Sequence, residues 1–486
     1  MGHFSNLAFF CKSFSPKIYK SVTMVKNQHL IMLFMLSSLF SLAAGIQSPT
    51  YWPHFSGDRI VTTLDGPSWD YTMNMDPHFD SMDPSFTPAS VALDRKATVP
   101  SCSDLVHGGA SGYLGPRGVA MYRRTFDHAA GAKIRLQFQS CSFYCKVWIN
   151  GHLVGDHKAG GYVPFWLDVP AATMKAKDNE IFVLADNRFN ATTAPMHTGG
   201  DFWHYGGLIR SVEVHSMPTT ASGAVYPWRA WVMPSATNIH QPFRAPTAID
   251  ITLALMSSAS SSPTTTVKFT LDFDGAGSPQ KMSATPNANG TIILKNVPVP
   301  NPMLWSTTSP TMHTVTVTID GASLSERFGL RHWGVKTDTD GASRLTINGE
   351  IVKLVGWNHH TQWPVTAASP TDAQMDADIL LLKQGGANYV RGAHYPQDPR
   401  WLDRLDEAGI VMWSETLGPD VKLKNTQDFS KGGFMEYQMQ QMQEMLDGAF
   451  NHASIMTCVE FFLLCVLHYS NDCDWCIREH HPDIES

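Results

Sequence analysis

The stretch Gly385-Gly-Ala-Asn-Tyr-Val-Arg-Gly-Ala-His-Tyr-Pro-Gln-Asp-Pro-Arg-Trp-Leu-Asp-Arg-Leu-Asp-Glu-Ala-Gly-Ile-Val-Met-Trp-Ser-Glu415 reads as a helix end, a strand, a loop, a helix and a second strand. That order is a unit of a β/α barrel. Arg391, His394 and Tyr395 lie in the loop after the first of these strands, the strand end where such barrels build their sites. Asp398-Pro399 caps the helix, Trp401, Leu405 and Ala408 form its inward stripe, and Gly409 stops it.

Upstream, Asn348-Gly349 marks a hairpin turn. Ile351-Val-Lys-Leu-Val355 is a β-branched run expected to form a buried parallel strand ending in Gly356-Trp-Asn-His-His360. Thr371 and Gln374 have capping-box spacing, Met375, Ile379 and Leu382 share one helix face, and Gly385-Gly386 ends that helix. Downstream, Met435, Met439, Met442 and Leu446 predict a core-filling helical stripe, and Asn451-His-Ala-Ser-Ile-Met-Thr457 leads into a fourth strand. About 120 residues carry barrel-like sequence, against roughly 250 in a closed eight-fold barrel. The expectation is an incomplete (β/α)8 TIM barrel.

Before the barrel the periodicity changes from helical to alternating. Ile134-Arg-Leu-Gln-Phe138, Val147-Trp-Ile before the turn dipeptide Asn150-Gly151, and Glu180-Ile-Phe-Val-Leu-Ala185 predict an all-β sandwich over residues 46–218. A second β region, 219–336, contains the alternating Val315-Thr-Val-Thr-Ile319 and a Ser-rich loop at 257–263. No clustering of ionisable groups is visible in it, so it is expected to be a spacer.

Several separated motifs, in order, resemble glycoside hydrolase family 2. They are Val147-Trp-Ile-Asn-Gly-His-Leu-Val-Gly-Asp-His-Lys-Ala-Gly-Gly-Tyr-Val-Pro-Phe165, Asp186-Asn187, Gly200-Asp-Phe-Trp-His-Tyr-Gly-Gly-Leu-Ile-Arg210, Pro302-Met-Leu-Trp-Ser306, Glu326-Arg-Phe-Gly-Leu-Arg331 and the barrel stretch itself. The resemblance implies a jelly-roll sugar-binding domain, an immunoglobulin-like β-sandwich and the N-terminal half of a TIM barrel at 337–457. It also implies related β-galactosidases and β-glucuronidases that cleave terminal β-linked sugars with retention. Carried over residue by residue, it gives substrate-binding roles to Asp201, His360, Arg391, His394 and Glu415. Read alone, Asp201 would only cap a turn before Phe202 and Trp203.

The family places its general acid/base Glu after an Asn at the end of the fourth strand and its nucleophilic Glu on a later strand. After Thr457 this sequence runs Cys-Val-Glu-Phe-Phe-Leu-Leu-Cys, with no Asn-Glu pair, and Glu460 does not inherit the role. A retaining mechanism needs both carboxyls, about 5–5.5 Å apart. The expectation is therefore sugar binding without turnover, with no catalytic residue, metal or cofactor assigned. The partner is a β-glycoside, and the alternative is a non-catalytic secreted carbohydrate-binding or scaffold protein.

A net charge of −7 with only 16% charged residues offers no basic stripe for nucleic acid. Lys17, Lys20 and Lys26 before the apolar run Leu30–Ala44 predict a secretory signal over 1–45, with Met24 a possible start. A membrane anchor is the rival reading, but the run is short of the roughly 20 residues a span needs. Asn190 and Asn289 open glycosylation sequons, consistent with an extracellular protein. The stretch 458–486 is Cys-rich and departs from the family pattern; it is expected to be an aberrant tail, with a zinc site among Cys458, Cys465, Cys473 and Cys476 the weaker reading.

Overall fold

The computed structural model describes residues 51–108, 116–128, 133–158, 160–188, 202–217, 225–235, 243, 245–257, 265–416 and 434–459. The proposed signal, Asn190, Asp201, the loop 258–264 and residues 460–486 lie outside them.

The first sandwich pairs a six-stranded antiparallel sheet with a four-stranded one. The larger sheet runs, edge to edge, Arg95–Val99, Gly66–Asn74, Val119–Phe126, Asn179–Asp186, Tyr144–Ile149 and His152–His157. The smaller runs Ile60–Thr63, Val212–Met217, Lys133–Phe138 and Phe165–Val169. Trp69, Tyr71, Tyr122, Leu136, Phe138, Val147 and Val183 fill the space between them. Asn150 and Gly151 both have positive φ, 50° and 80°, as a tight hairpin with a twist matching its strands requires. Cys141 and Cys145 are buried free thiols.

The second sandwich faces the sheet Val225–Pro234, Ala248–Ser257, Thr291–Pro298 with a five-stranded sheet containing Val267–Phe273, His313–Ile319 and Ala322–Phe328. His313–Ile319 alternates buried and half-buried along its whole length, as its sequence predicts. One strand crosses the expected boundary: His54–Gly57 pairs antiparallel with Ala322–Ser325, so it belongs to the second sandwich.

In the barrel segment, strands β1 (Gly356–His359), β2 (Tyr389–Gly392), β3 (Val411–Glu415) and β4 (Ile455–Val459) form a parallel sheet in chain order. They alternate with helices α1 (Asp372–Gln384), α2 (Pro399–Ala408) and α3 (Phe434–Ala449). The capping signals are realised: Thr371 accepts from Gln374 N while the Gln374 side chain accepts from Thr371 N, Asp398 accepts from Arg400 N, and Gly409 sits in the left-handed region at φ 66°. Met375, Leu382, Trp401, Leu402, Leu405 and Met412 form the core between sheet and helices.

Three expectations are corrected. The parallel strand is Gly356–His359, not the run Ile351–Val355. Only Glu350–Ile351 of that run is in a strand, and it is antiparallel; Val355 is 48% exposed. Asn388 explains the placement, because its side chain accepts from Val355 N and donates to Lys353 O, holding this approach before pairing begins at Gly356. Among the described side chains of α3 the buried ones are Gln438, Gln441, Met445 and Ala449, while Met439 is 47% exposed and Met435 lies outside those described. The helix turns toward the first sandwich, where His157 Nε2 meets Glu444 Oε2 at 2.8 Å.

The second sandwich is also more than a neutral spacer. Its Glu326, Arg229 and Arg327 border a buried group of barrel residues, Asp403, Asp406 and His452. These groups are far apart in sequence, so no local motif announces them. Beside them, sandwich side chains donate to barrel main-chain carbonyls: Arg331 to those of His452, Ala453 and Ile455, Arg229 and Trp231 to that of Asp447, and Trp305 to that of Asp406.

Candidate functional site

β1, β2 and β3 run parallel and in register, so their C-terminal ends present their next residues to one place. β3 ends in Glu415, which is 3% exposed. Arg391 on β2 addresses it with two nitrogens, Nε to Oε1 at 2.6 Å and Nη2 to Oε2 at 3.1 Å. This is the forked geometry in which a guanidinium holds a carboxylate most specifically. Three residues on, His394 Nδ1 lies 3.1 Å from Arg391 Nη2 and 3.3 Å from Glu415 Oε2. Burial raises the pKa of Glu415, but hydrogen bonds from His394 and Arg391, with their charge, outweigh it and hold the carboxyl below its ordinary value.

The adjacent histidines at the end of β1 separate by face. His359 turns toward α1, with Nε2 3.0 Å from Asp378 Oδ2 and its ring stacked on Trp401 at 4.2 Å. Asp378 also accepts from Trp363 Nε1 at 2.9 Å. His360 takes the other direction, its ring 5.1 Å from that of His394 and nearly perpendicular to it. Four of the five expected substrate-binding residues, His360, Arg391, His394 and Glu415, thus come together; Asp201 is outside the described residues.

A wall of this site comes from the first sandwich. The Phe202 ring lies 5.8, 5.4 and 5.4 Å from those of His360, His394 and Tyr395. Tyr395 in turn stacks on Tyr162 of that sandwich at 4.4 Å. Trp203 accepts at its carbonyl from Gln362 Nε2, 2.9 Å away, and its indole donates to buried Asp104 at 3.2 Å. Arg117 covers the Trp203 ring at 4.4 Å.

The loop carrying His394 is held from behind. Arg210 donates to Tyr162 O at 2.6 Å and to Pro396 O at 3.1 Å, bridging sandwich and loop. Asp398, which caps α2, pairs with Arg400 at 2.9 Å and with Arg210 at 3.6 Å. Phe202, Trp203, Tyr162, Gln362 and Arg210 carry no role in the sequence reading. The Gly200–Arg210 motif holds Phe202, Trp203 and Arg210, and the Val147–Phe165 motif holds Tyr162, but neither motif by itself gives them a task.

A second grouping, Asp403, Asp406 and His452, has spacing compatible with metal ligands but lies outside this site. His452 Nδ1 is already 2.7 Å from Asp406 Oδ2, and Arg327 stands 3.8 Å from Asp403.

Residues 115–218 match the glycosyl hydrolases family 2 sugar binding domain, 237–331 the family's middle domain and 339–458 its TIM barrel domain. The chain is 30% identical over 315 residues to a beta-galactosidase of Thermoanaerobacter pseudethanolicus, covering 62% of this chain and 40% of that protein. It is 27% identical over 335 residues to a putative beta-glucuronidase of Formosa agariphila, covering 66% and 36%. In fold it is similar to a family 2 beta-galacturonidase of Eisenbergiella tayi solved with galacturonate, with TM-score 0.66 and 22% identity, covering 85% of this chain and 67% of that one. It is also similar to Bacteroides uniformis beta-glucuronidase, with TM-score 0.63 and 22% identity, covering 83% and 46%. The chain spans only 36% to 40% of the two curated relatives named here. Three consecutive domain matches in the family's order, together with this fold, make the chain a member of glycoside hydrolase family 2.

Proposed function

We propose that the barrel mouth binds the terminal sugar of a β-linked glycoside, a β-galactoside or β-glucuronide, and that this chain turns it over negligibly. The observation that carries the binding is the cluster Arg391–Glu415–His394 with His360 at successive strand ends, walled by Phe202. It offers charged hydrogen-bonding groups for hydroxyls beside an aromatic surface for a sugar's C–H face. Asp201 is assigned to the same site because its neighbour Phe202 already packs on His360 and His394.

The chemistry supports binding over hydrolysis. A general acid must hold a proton near neutral pH. Glu415, clamped by Arg391 and His394, is kept ionised, so it can accept from a hydroxyl but cannot protonate a leaving oxygen. The sequence after Thr457 supplies no Asn-Glu pair to take that role. In relatives with both carboxyls, the retaining mechanism passes through a covalent glycosyl-enzyme.

Titration calorimetry with methyl β-galactoside and methyl β-glucuronide, alongside release of nitrophenol from the matching aryl glycosides, tests both halves. Saturable binding whose affinity falls by about tenfold or more in Arg391→Ala, with no release above buffer, is the expected result. Release that disappears in Glu415→Gln would overturn the non-catalytic part, and absent binding would overturn the whole. Secretion is proposed on the Lys17–Ala44 pattern and the exposed sequon at Asn289.

A further inference from the structure

A cavity of about 510 Å³ opens where the first sandwich, the second sandwich and the barrel meet, and none of the barrel-mouth residues lines it. Folded interiors close-pack and leave few voids larger than a water molecule, while small-molecule sites span roughly 300–1,000 Å³. We propose that this cavity is a second carbohydrate site, taking a neutral mono- or disaccharide.

One buried polar group that lines it, the Trp228 indole N–H, makes no hydrogen bond among the described residues. Trp228 is 4% exposed. Leaving a buried donor or acceptor unsatisfied costs about 1–3 kcal/mol, so such a group calls for a ligand that supplies what the protein does not. Gln139 is 8% exposed and lines the same cavity.

The third polar group is Glu213, which is held by His215. Arg59 Nη2 donates to His215 Nδ1 at 2.8 Å, which leaves the proton of this imidazole on Nε2, and Nε2 meets Glu213 Oε2 at 3.0 Å. His215 is therefore a neutral tautomer. Burial, with Arg59 and Arg135 nearby, holds its pKa down at about 4 despite Glu213. Glu213 Oε1 remains to accept from a hydroxyl. Arg229 lines the same cavity with the opposite charge, so the lining favours no net charge on the ligand.

Part of the wall is apolar and stiff. Pro53, Pro164 and Pro399 line it, and the ring of Phe55 is covered by the Arg59 guanidinium at 3.4 Å. A polyhydroxylated ring, with hydroxyls at its rim and C–H groups on its faces, suits a mixed wall in which rigid prolines stand beside two amides, Gln137 and Gln139, one carboxylate and one guanidinium. The exposed Val61 and His54 place part of the lining at the surface, so a ligand has a route in.

The test uses the full chain carrying Arg391→Ala, which weakens the barrel mouth, and calorimetry with cellobiose, sucrose and maltose, none of them a β-galactoside or β-glucuronide. At least one sugar should bind saturably, and adding Gln139→Leu should weaken it by about tenfold, ~1.4 kcal/mol. Glu213→Gln, close in volume, should weaken it as well and serves if the first variant fails to fold by circular dichroism. Absence of binding by all three sugars in Arg391→Ala, or binding that survives the folded cavity variant unchanged, overturns the proposal. Either result leaves the barrel-mouth reading standing, because that reading rests on the binding that Arg391→Ala weakens.

Discussion

Replacing Asp398 by Asn tests whether the sandwich holds the loop that carries His394. The substitution keeps the side chain's size and a good helix cap, since Asn and Asp cap equally well. It removes only the charge shared by Arg400, 2.9 Å away, and Arg210, 3.6 Å away. The three side chains are 1%, 4% and 2% exposed for Asp398, Arg400 and Arg210, so solvent screens little of the loss. Arg400 keeps one other carboxylate, Asp372 at 3.2 Å, whose side chain is half exposed. Breaking a buried ion pair by removing one partner costs about 3–5 kcal/mol. With urea slopes of roughly 1–3 kcal/mol per molar, the midpoint should fall by about 1 M or more. Asp398→Ala should cost about 1 kcal/mol further, the worth of the lost cap. Tryptophan fluorescence in urea reads both. The sign of the pH effect follows from the same contacts. Burial raises the pKa of Asp398, but the charges of Arg400 and Arg210 outweigh it and leave it depressed. Its contribution is thus present above the ordinary carboxylate range and lost as pH falls through the folded value, below about pH 4. Asp398→Asn should lack that acid-side loss. A midpoint within about 0.3 M of the parent at neutral pH, less than any slope in that range allows for such a pair, would refute the reasoning.

Other consequences are accessible to simpler assays. Arg391→Ala should weaken β-glycoside binding by about tenfold or more, ~1.4 kcal/mol, and calorimetry reads it. Glu326, raised by burial to about 7 against the pull of Arg229, Asn451 and His452, contributes stability that is full below the ordinary carboxylate range and lost as pH rises through 7. Glu326→Gln should therefore shrink the fall in urea midpoint between about pH 5 and pH 8, and an unchanged fall would count against a buried, protonated Glu326. Asn289 is exposed in a turn, so secretion from a eukaryotic host should add a glycan that Asn289→Gln removes, visible by intact mass.

Local chemistry in the sequence located most of the barrel segment. The capping pair Thr371 and Gln374, the Asp398-Pro399 entry and Gly409 act within a few residues of themselves, and each appears as read. Ile351–Val355 misled because β-branched residues favour extended backbone without specifying a partner, and Asn388 reserves the pairing for Gly356 onward. The methionines of α3 misled for a related reason: periodicity finds a stripe, but the tertiary neighbour His157 decides which face is buried. At the site, residues ending strands were legible because strand ends converge whatever the loops do. Phe202, Tyr162 and Arg210 were not, since their roles depend on how one domain leans on another. The same limit hid Gln139 and the group around His452.

The seam between the second sandwich and the barrel has a consequence for descent and for engineering. Arg331, Arg229, Trp231 and Trp305 address the carbonyl oxygens of Ala453, Ile455, Asp447 and Asp406 rather than their side chains. Every amino acid offers the same oxygen, so what the sandwich recognises there is the path of a chain. Arg327 with Asp403 and Glu407, and Asn451 with the main chain of Ala230 and Val232, add contacts that do depend on side chains, so a barrel exchanged at this joint must keep the course of the turn from α3 into β4 together with those few residues.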